Sequence, residues 1–103
     1  NKTYPRPEYL TENAGLDYDG AAWLAKRGVV NIGIDSTTID SCGNTASGFF
    51  PAHEVCCEYQ MMNTENLCNL EKVAGKRFTY VGLPLKIRGG TGSPIRAAAV
   101  LEE

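Results

Sequence analysis

The sequence predicts a mixed α/β domain in which strand outweighs helix, and three observations carry that expectation. One well-signalled helix lies early, over Asp17 to Gly28. An almost wholly apolar, β-branched run, VVNIGID, follows it at Val29 to Asp35. The last quarter then holds two further strand-like runs, RFTYVGLPLKI and IRAAAVL, with no long helical pattern between them.

Residues 1–16 read as an extended lead-in, because Pro5 and Pro7 block helix there. Asp17 is placed to cap a helix, and Asp19 adds negative charge to its first turn. AAWLAKR then ends in basic residues before the stop at Gly28. VVNIGID lacks polar alternation, which suits a strand covered on both faces. STTIDSCGNTASGFF is a long polar loop, a kind of segment that tends to carry function or disorder. Pro51 fits the first turn of a second helix over AHEVCCEY. QMMNT reads as a short strand that leaves Glu65 at its end, and LCNLEKV as one more helical turn closed by Gly75. Pro84 places RFTYVGLPLKI at a sheet edge or bulge.

Length and composition set the bounds. At 103 residues and 43% hydrophobic content, the chain fits one small domain with a limited core. A net charge of -2 and an isoelectric point near 5.4 give no basic stripe for nucleic acid. VVNIGI and AAAVL are far too short to cross a bilayer. The chain starts Asn1-Lys2-Thr3, an N-glycosylation sequon, and has no initiator methionine. Both features fit a processed chain, with secretion favoured over the cytoplasm. Cys42, Cys56, Cys57 and Cys68 show no CxxC spacing, which argues against a structural zinc knot. Their even number would allow disulfides; packing of Cys56, Cys57 and Cys68 as small apolar side chains is the favoured reading.

His53 is the only histidine, and Glu65 follows it at short range. An imidazole and a carboxylate are ligand types that zinc or manganese accepts, but two ligands do not complete a shell. GGTGSP lacks the lysine and hydroxyl of a phosphate-binding loop, so its glycines are expected at positive φ or close backbone approaches.

WLAKRGVVNIGID, then FPAH, then ENLCNLEKVAGKRFTYVGLPLKIRGGTGSPIRAAAVL together resemble the C-terminal half of the cyclase-like metal-dependent hydrolases. That family includes bacterial-type kynurenine formamidases and isatin hydrolases, and the match runs from about Gly15 to Leu101. The resemblance implies a swivelling β/β/α domain that usually dimerises and hydrolyses a small cyclic or aryl amide at a metal centre. It places His53 and Glu65 at metal-ligand positions, with zinc or manganese as the cofactor. Asp35 falls near the pocket, although a cap or turn is the commoner role of an aspartate ending a strand. Phe49 and Phe50 could line an apolar substrate pocket, with ordinary core packing favoured. Lys86 and Arg96 are equally suited to pairing with carboxylates elsewhere or to a solvated surface.

The family's N-terminal half carries a histidine-rich HxGTHxDxPxH motif that has no counterpart here. Residues 1–103 are therefore expected to form the C-terminal part of one domain, with a second chain supplying that motif. No catalytic residue is assigned on this chain. The alternative is a non-catalytic binding or structural protein that kept the fold.

Overall fold

A computed structural model describes residues 5–102, and the Asn1 sequon lies outside them. The chain divides into two compact units, one ending at Cys68 and one starting at Asn69. Together they are mixed α/β, with few helices and two small sheets.

The first unit is built on a parallel strand pair and two packed helices. Helix α1 (Glu8–Thr11) precedes helix α2 (Tyr18–Ala25), and Asp17 caps α2 by accepting the Gly20 N–H at 2.8 Å. Gly28 stops the segment at φ 79°, a left-handed value that suits glycine. Strand β1 (Asn31–Gly33) pairs in parallel with β2 (Met62–Thr64), Asn31 opposite Met62 and Gly33 opposite Thr64. Hydrogen bonds from Ile34 to Thr64, Asn66 to Ser36 and Leu67 to Ile34 continue this association past the strands. Between the strands run helix α3 (Cys42–Ala46) and helix α4 (Pro51–Glu58), which starts at its proline as expected.

The core lies where α2 meets α4. Ala21 and Ala22 let the helices approach closely, and Ile39, Ala52, Val55, Cys56 and Met61 close around them. Leu16, Val29, Ile32 and Ile34 pack on its margin. Val55 is fully buried, a contribution of about 1.5–3 kcal/mol for a side chain of its size.

The second unit carries a short 3₁₀ turn (Leu70–Lys72), then β3 (Thr79–Val81) paired antiparallel with β4 (Ala98–Val100). Gly75 and Gly89 take left-handed φ of 72° each, so one glycine of GGTGSP meets the positive-φ expectation. Lys86 and Arg96 are exposed.

Several local expectations are corrected. Helix, not strand, holds more of the described residues, because each strand-like run contributes only three paired residues. The lead-in contains α1 and the long polar loop contains α3. VVNIGID is not covered on both faces: Val30 and Gly33 are exposed, while Ile32 and Ile34 pack against the core. The strand in RFTYVGLPLKI stops at Val81, before Pro84. Of the cysteines, Cys56 alone is a core residue; Cys57 and Cys68 are exposed, and Cys42, Cys56 and Cys57 are thiols.

Candidate functional site

Helix α4 begins without a cap of its own, because Phe50 offers no side-chain oxygen to the first turn. Asp40, twelve residues upstream, fills that role. Its Oδ1 accepts the Ala52 N–H at 2.6 Å, and its side chain is completely buried. Its second oxygen, Oδ2, lies 2.5 Å from Nδ1 of His53, the next residue on the helix. A carboxylate can only accept, so the Asp40 contact holds the proton on Nδ1 and leaves the Nε2 lone pair outward. This is the arrangement in which a carboxylate orients an imidazole and fixes its tautomer.

Glu65 reaches the same place from the end of β2. Its Oε1 accepts the Ile39 N–H at 3.0 Å and Asn63 Nδ2 at 2.9 Å, and it stands 3.5 Å from His53 Nε2. Asn63 Nδ2 also lies 3.3 Å from Nε2, so one amide group contacts both candidate ligand atoms. Consecutive residues thus fix the two side chains: Ile39 through its backbone holds Glu65, and Asp40 through its carboxylate holds His53.

That pair of residues is itself clamped. Leu16 N–H donates to the Ile39 carbonyl at 2.7 Å, Asn13 Nδ2 to the Asp40 carbonyl at 3.1 Å, and Cys42 N–H to the Asn13 carbonyl at 3.3 Å. Gly15 makes this approach possible. A Cβ there would stand within 2.4 Å of the Asp40 C and O and the Ser41 N, a distance real Cβ atoms do not tolerate. Asn66, at φ 58°, turns the chain directly after Glu65 and accepts the Tyr9 hydroxyl at 2.6 Å.

Electrostatically the site favours a cation, because the Asp40 and Glu65 carboxylates flank a single imidazole. Their field extends inward. Burial pushes the Cys56 thiol above its ordinary range, and the charges of Cys57, Asp40 and Glu65 add in the same direction. Among the described residues no group of three or more His, Cys, Asp or Glu is placed to hold a metal ion. His53 and Glu65 stand as a pair of donor side chains on one edge of the site.

The other sequence candidates fall as follows. Phe50 meets the His53 ring edge-on, with centroids 6.0 Å apart and planes at 87°. Phe49 and Phe50 are both exposed, so the favoured core-packing role is corrected for each: the loop between α3 and α4 carries them outside the core. Asp35 is half-buried just beyond β1, and the contacts that orient His53 and Glu65 come from Asp40, Ile39 and Asn63 instead. Sequence reasoning missed Asp40 and Asn63. The available signal for Asp40 was Ile39, a large apolar residue set among polar ones early in the loop, which marks a place where the loop dips into the core.

No protein-family model matches the chain. Individual proteins do. It is 39% identical over 75 residues to a kynurenine formamidase of Bordetella petrii, covering 73% of this chain and 34% of that protein. It is 35% identical over 86 residues to an isatin hydrolase of Roseibium aggregatum, covering 81% and 32% respectively. A kynurenine formamidase of Salinibacter ruber is 36% identical over 74 residues, covering 72% and 33%. The chain thus spans about a third of the length of the relatives it matches.

Proposed function

We propose that this chain is the C-terminal part of a metal-dependent hydrolase of the cyclase-like family that cleaves a small aryl or cyclic amide. The observation that carries the reading is the 3.5 Å approach of His53 Nε2 to Glu65 Oε1, with the imidazole tautomer fixed from behind by Asp40. Two ligand atoms about 2.1 Å from one metal ion in a tetrahedral shell lie about 3.4 Å apart, so this spacing suits a zinc ion. The similarity to proteins named kynurenine formamidase and isatin hydrolase supports the substrate class.

His53 and Glu65 would hold the cation, Asp40 would keep Nε2 free of a proton, and Ile39 N–H would keep the Glu65 carboxylate turned toward it. Such a cation would supply Lewis-acid polarisation of an amide carbonyl and activation of water near neutral pH. Phe50, edge-on to His53 and open to solvent, is placed to offer an aromatic wall to an aryl substrate. Phe49 beside it would extend that wall. The remaining ligands and the general base belong to a histidine-rich region outside these 103 residues, which we place on a second chain of an oligomeric enzyme.

The test combines elemental analysis of the chain with hydrolysis of an aryl formamide and an isatin-type lactam, measured with the histidine-rich region present. Glu65→Gln keeps shape and removes charge; His53→Ala removes a ligand. Each is expected to lower metal occupancy and to reduce hydrolysis at least 100-fold. Full metal content and turnover in both variants would overturn the ligand assignment. A wild-type chain that binds no metal would favour the non-catalytic reading.

A further inference from the structure

We infer that Asn63 is a third metal ligand of this chain, coordinating through its side-chain carbonyl oxygen. The inference rests on the metal site proposed above and adds a residue to it.

The side-chain amide of Asn63 sits 2.9 Å from Glu65 Oε1 and 3.3 Å from His53 Nε2, and those two atoms are 3.5 Å apart. Three heavy atoms at these spacings form a triangle whose corners lie about 1.9 Å from its centre. A cation slightly above that plane meets all three at about 2.1 Å, the distance zinc takes to nitrogen and oxygen. The same edges bracket those of a six-coordinate oxygen and nitrogen shell, about 3.0 Å at that radius. In the structure the amide turns its N–H₂ toward the two acceptors, the orientation that two lone pairs demand. A half-turn about the Cβ–Cγ bond exchanges Nδ2 for Oδ1 without moving the amide plane. The atom facing Nε2 and Oε1 then becomes a neutral hard donor of the kind manganese and zinc accept.

Position supports the exchange. Asn63 lies on β2 opposite Ile32, and Glu65 is two residues on, so both side chains leave the same face of the strand. The strand pairing fixes their separation, as it would for a ligand pair. Asn63 is half-buried, which leaves room for the amide to turn. A neutral amide as third donor also keeps the ligand charge on this chain at that of Glu65 alone, leaving the cation electrophilic toward a carbonyl.

The competing role for the same contacts is a placeholder, an amide that occupies the site and must leave when a cation enters. The two roles predict opposite signs. Manganese chloride or zinc chloride is titrated calorimetrically into the metal-free protein with the histidine-rich region present, and into its Asn63→Leu and Asn63→Ala variants. A ligand role weakens binding at least tenfold in both variants, whereas a placeholder role leaves it unchanged or tighter and overturns the inference. Cobalt(II) at saturation supplies the second readout: loss of an oxygen donor changes the d–d absorption of both variants. An unchanged spectrum would also overturn it. Asn63→Ala and circular dichroism guard against a leucine variant that fails to fold. If the wild-type protein, with the histidine-rich region present, binds neither manganese, zinc nor cobalt, the metal reading itself fails. If the wild type binds and the variants bind as well, only the role of Asn63 does.

Discussion

At Asp40 a single buried carboxylate serves two donors, the Ala52 N–H that opens helix α4 and the Nδ1 of His53. Removing its charge removes both services. Asp40→Asn can accept one bond through its remaining oxygen but faces the other donor with an N–H₂ group. The expected cost is about 1–3 kcal/mol of stability, the range for leaving a buried donor unsatisfied, read by denaturant unfolding. Metal affinity should fall by about 10–100-fold, the range for losing the partner that orients a ligand histidine. Asp40→Asn with unchanged affinity would show that His53 needs no orientation from behind. The two aspartates of GIDSTTID, Asp35 and Asp40, are chemically alike in sequence. The contacts that hold Asp40 in the core come from residues 13–16 and from the start of helix α4, and those contacts are tertiary. Glu65 was singled out through the family resemblance and its place after a short strand, and Asn63 was not, because a strand asparagine has no pattern of its own.

At the scale of the elements, α2 and α4 are joined on the surface as well as in the core. Tyr18, at the start of α2, donates its hydroxyl to Glu58 Oε2 at the end of α4 at 2.7 Å. That hydrogen bond, together with the charges of Glu58 and Glu54, pushes the Tyr18 phenol up to about 12. The folded chain therefore holds this proton more tightly than the unfolded chain does. The contribution of the contact is fully present below pH 10 and is lost as pH rises from about 10 toward 12. In a titration followed by tyrosinate absorbance, Tyr18→Phe should delete a late phase near pH 12. A second prediction concerns the clamp. Gly15→Ala forces a Cβ into the Asp40 backbone and should destabilise the first unit while loosening His53, seen as lower thermal stability together with weaker metal binding. Elements with local signals were legible from sequence: Asp17 and Gly28 bound α2, and Pro51 starts α4. The strands were over-extended, because apolar β-branched content promises a strand without saying how many partners it will find. Helix α3, CGNTA, has no apolar face and no side-chain cap bond, so nothing in its sequence announced it.

Across the whole chain the two units differ in how they bury apolar surface. The first has a continuous core, whereas no described residue of the second is buried. Phe78, Tyr80, Val81, Leu83, Leu85, Ile87, Val100 and Leu101 are all exposed there, around a two-stranded sheet of a kind that is marginal alone. Native-state hydrogen exchange should therefore show amides of α2 and α4 protected, and those of Thr79–Val81 and Ala98–Val100 exchanging orders of magnitude faster. Equal protection would show that the second unit's apolar surface is covered in solution. The clamp on residues 39 and 40 bears on a different property, the order of folding events. Ile39 N–H meets a carboxylate 26 residues away, and Asn13 meets Asp40 from 27 residues away. Each of these closes a long loop whose entropy is lost before the contact forms, so both belong to the slow side of folding. During synthesis Asp40 and His53 leave the ribosome before Glu65. The imidazole can thus find its carboxylate while Glu65 is still unmade, and the approach of His53 to Glu65 is completed only when β2 docks on β1.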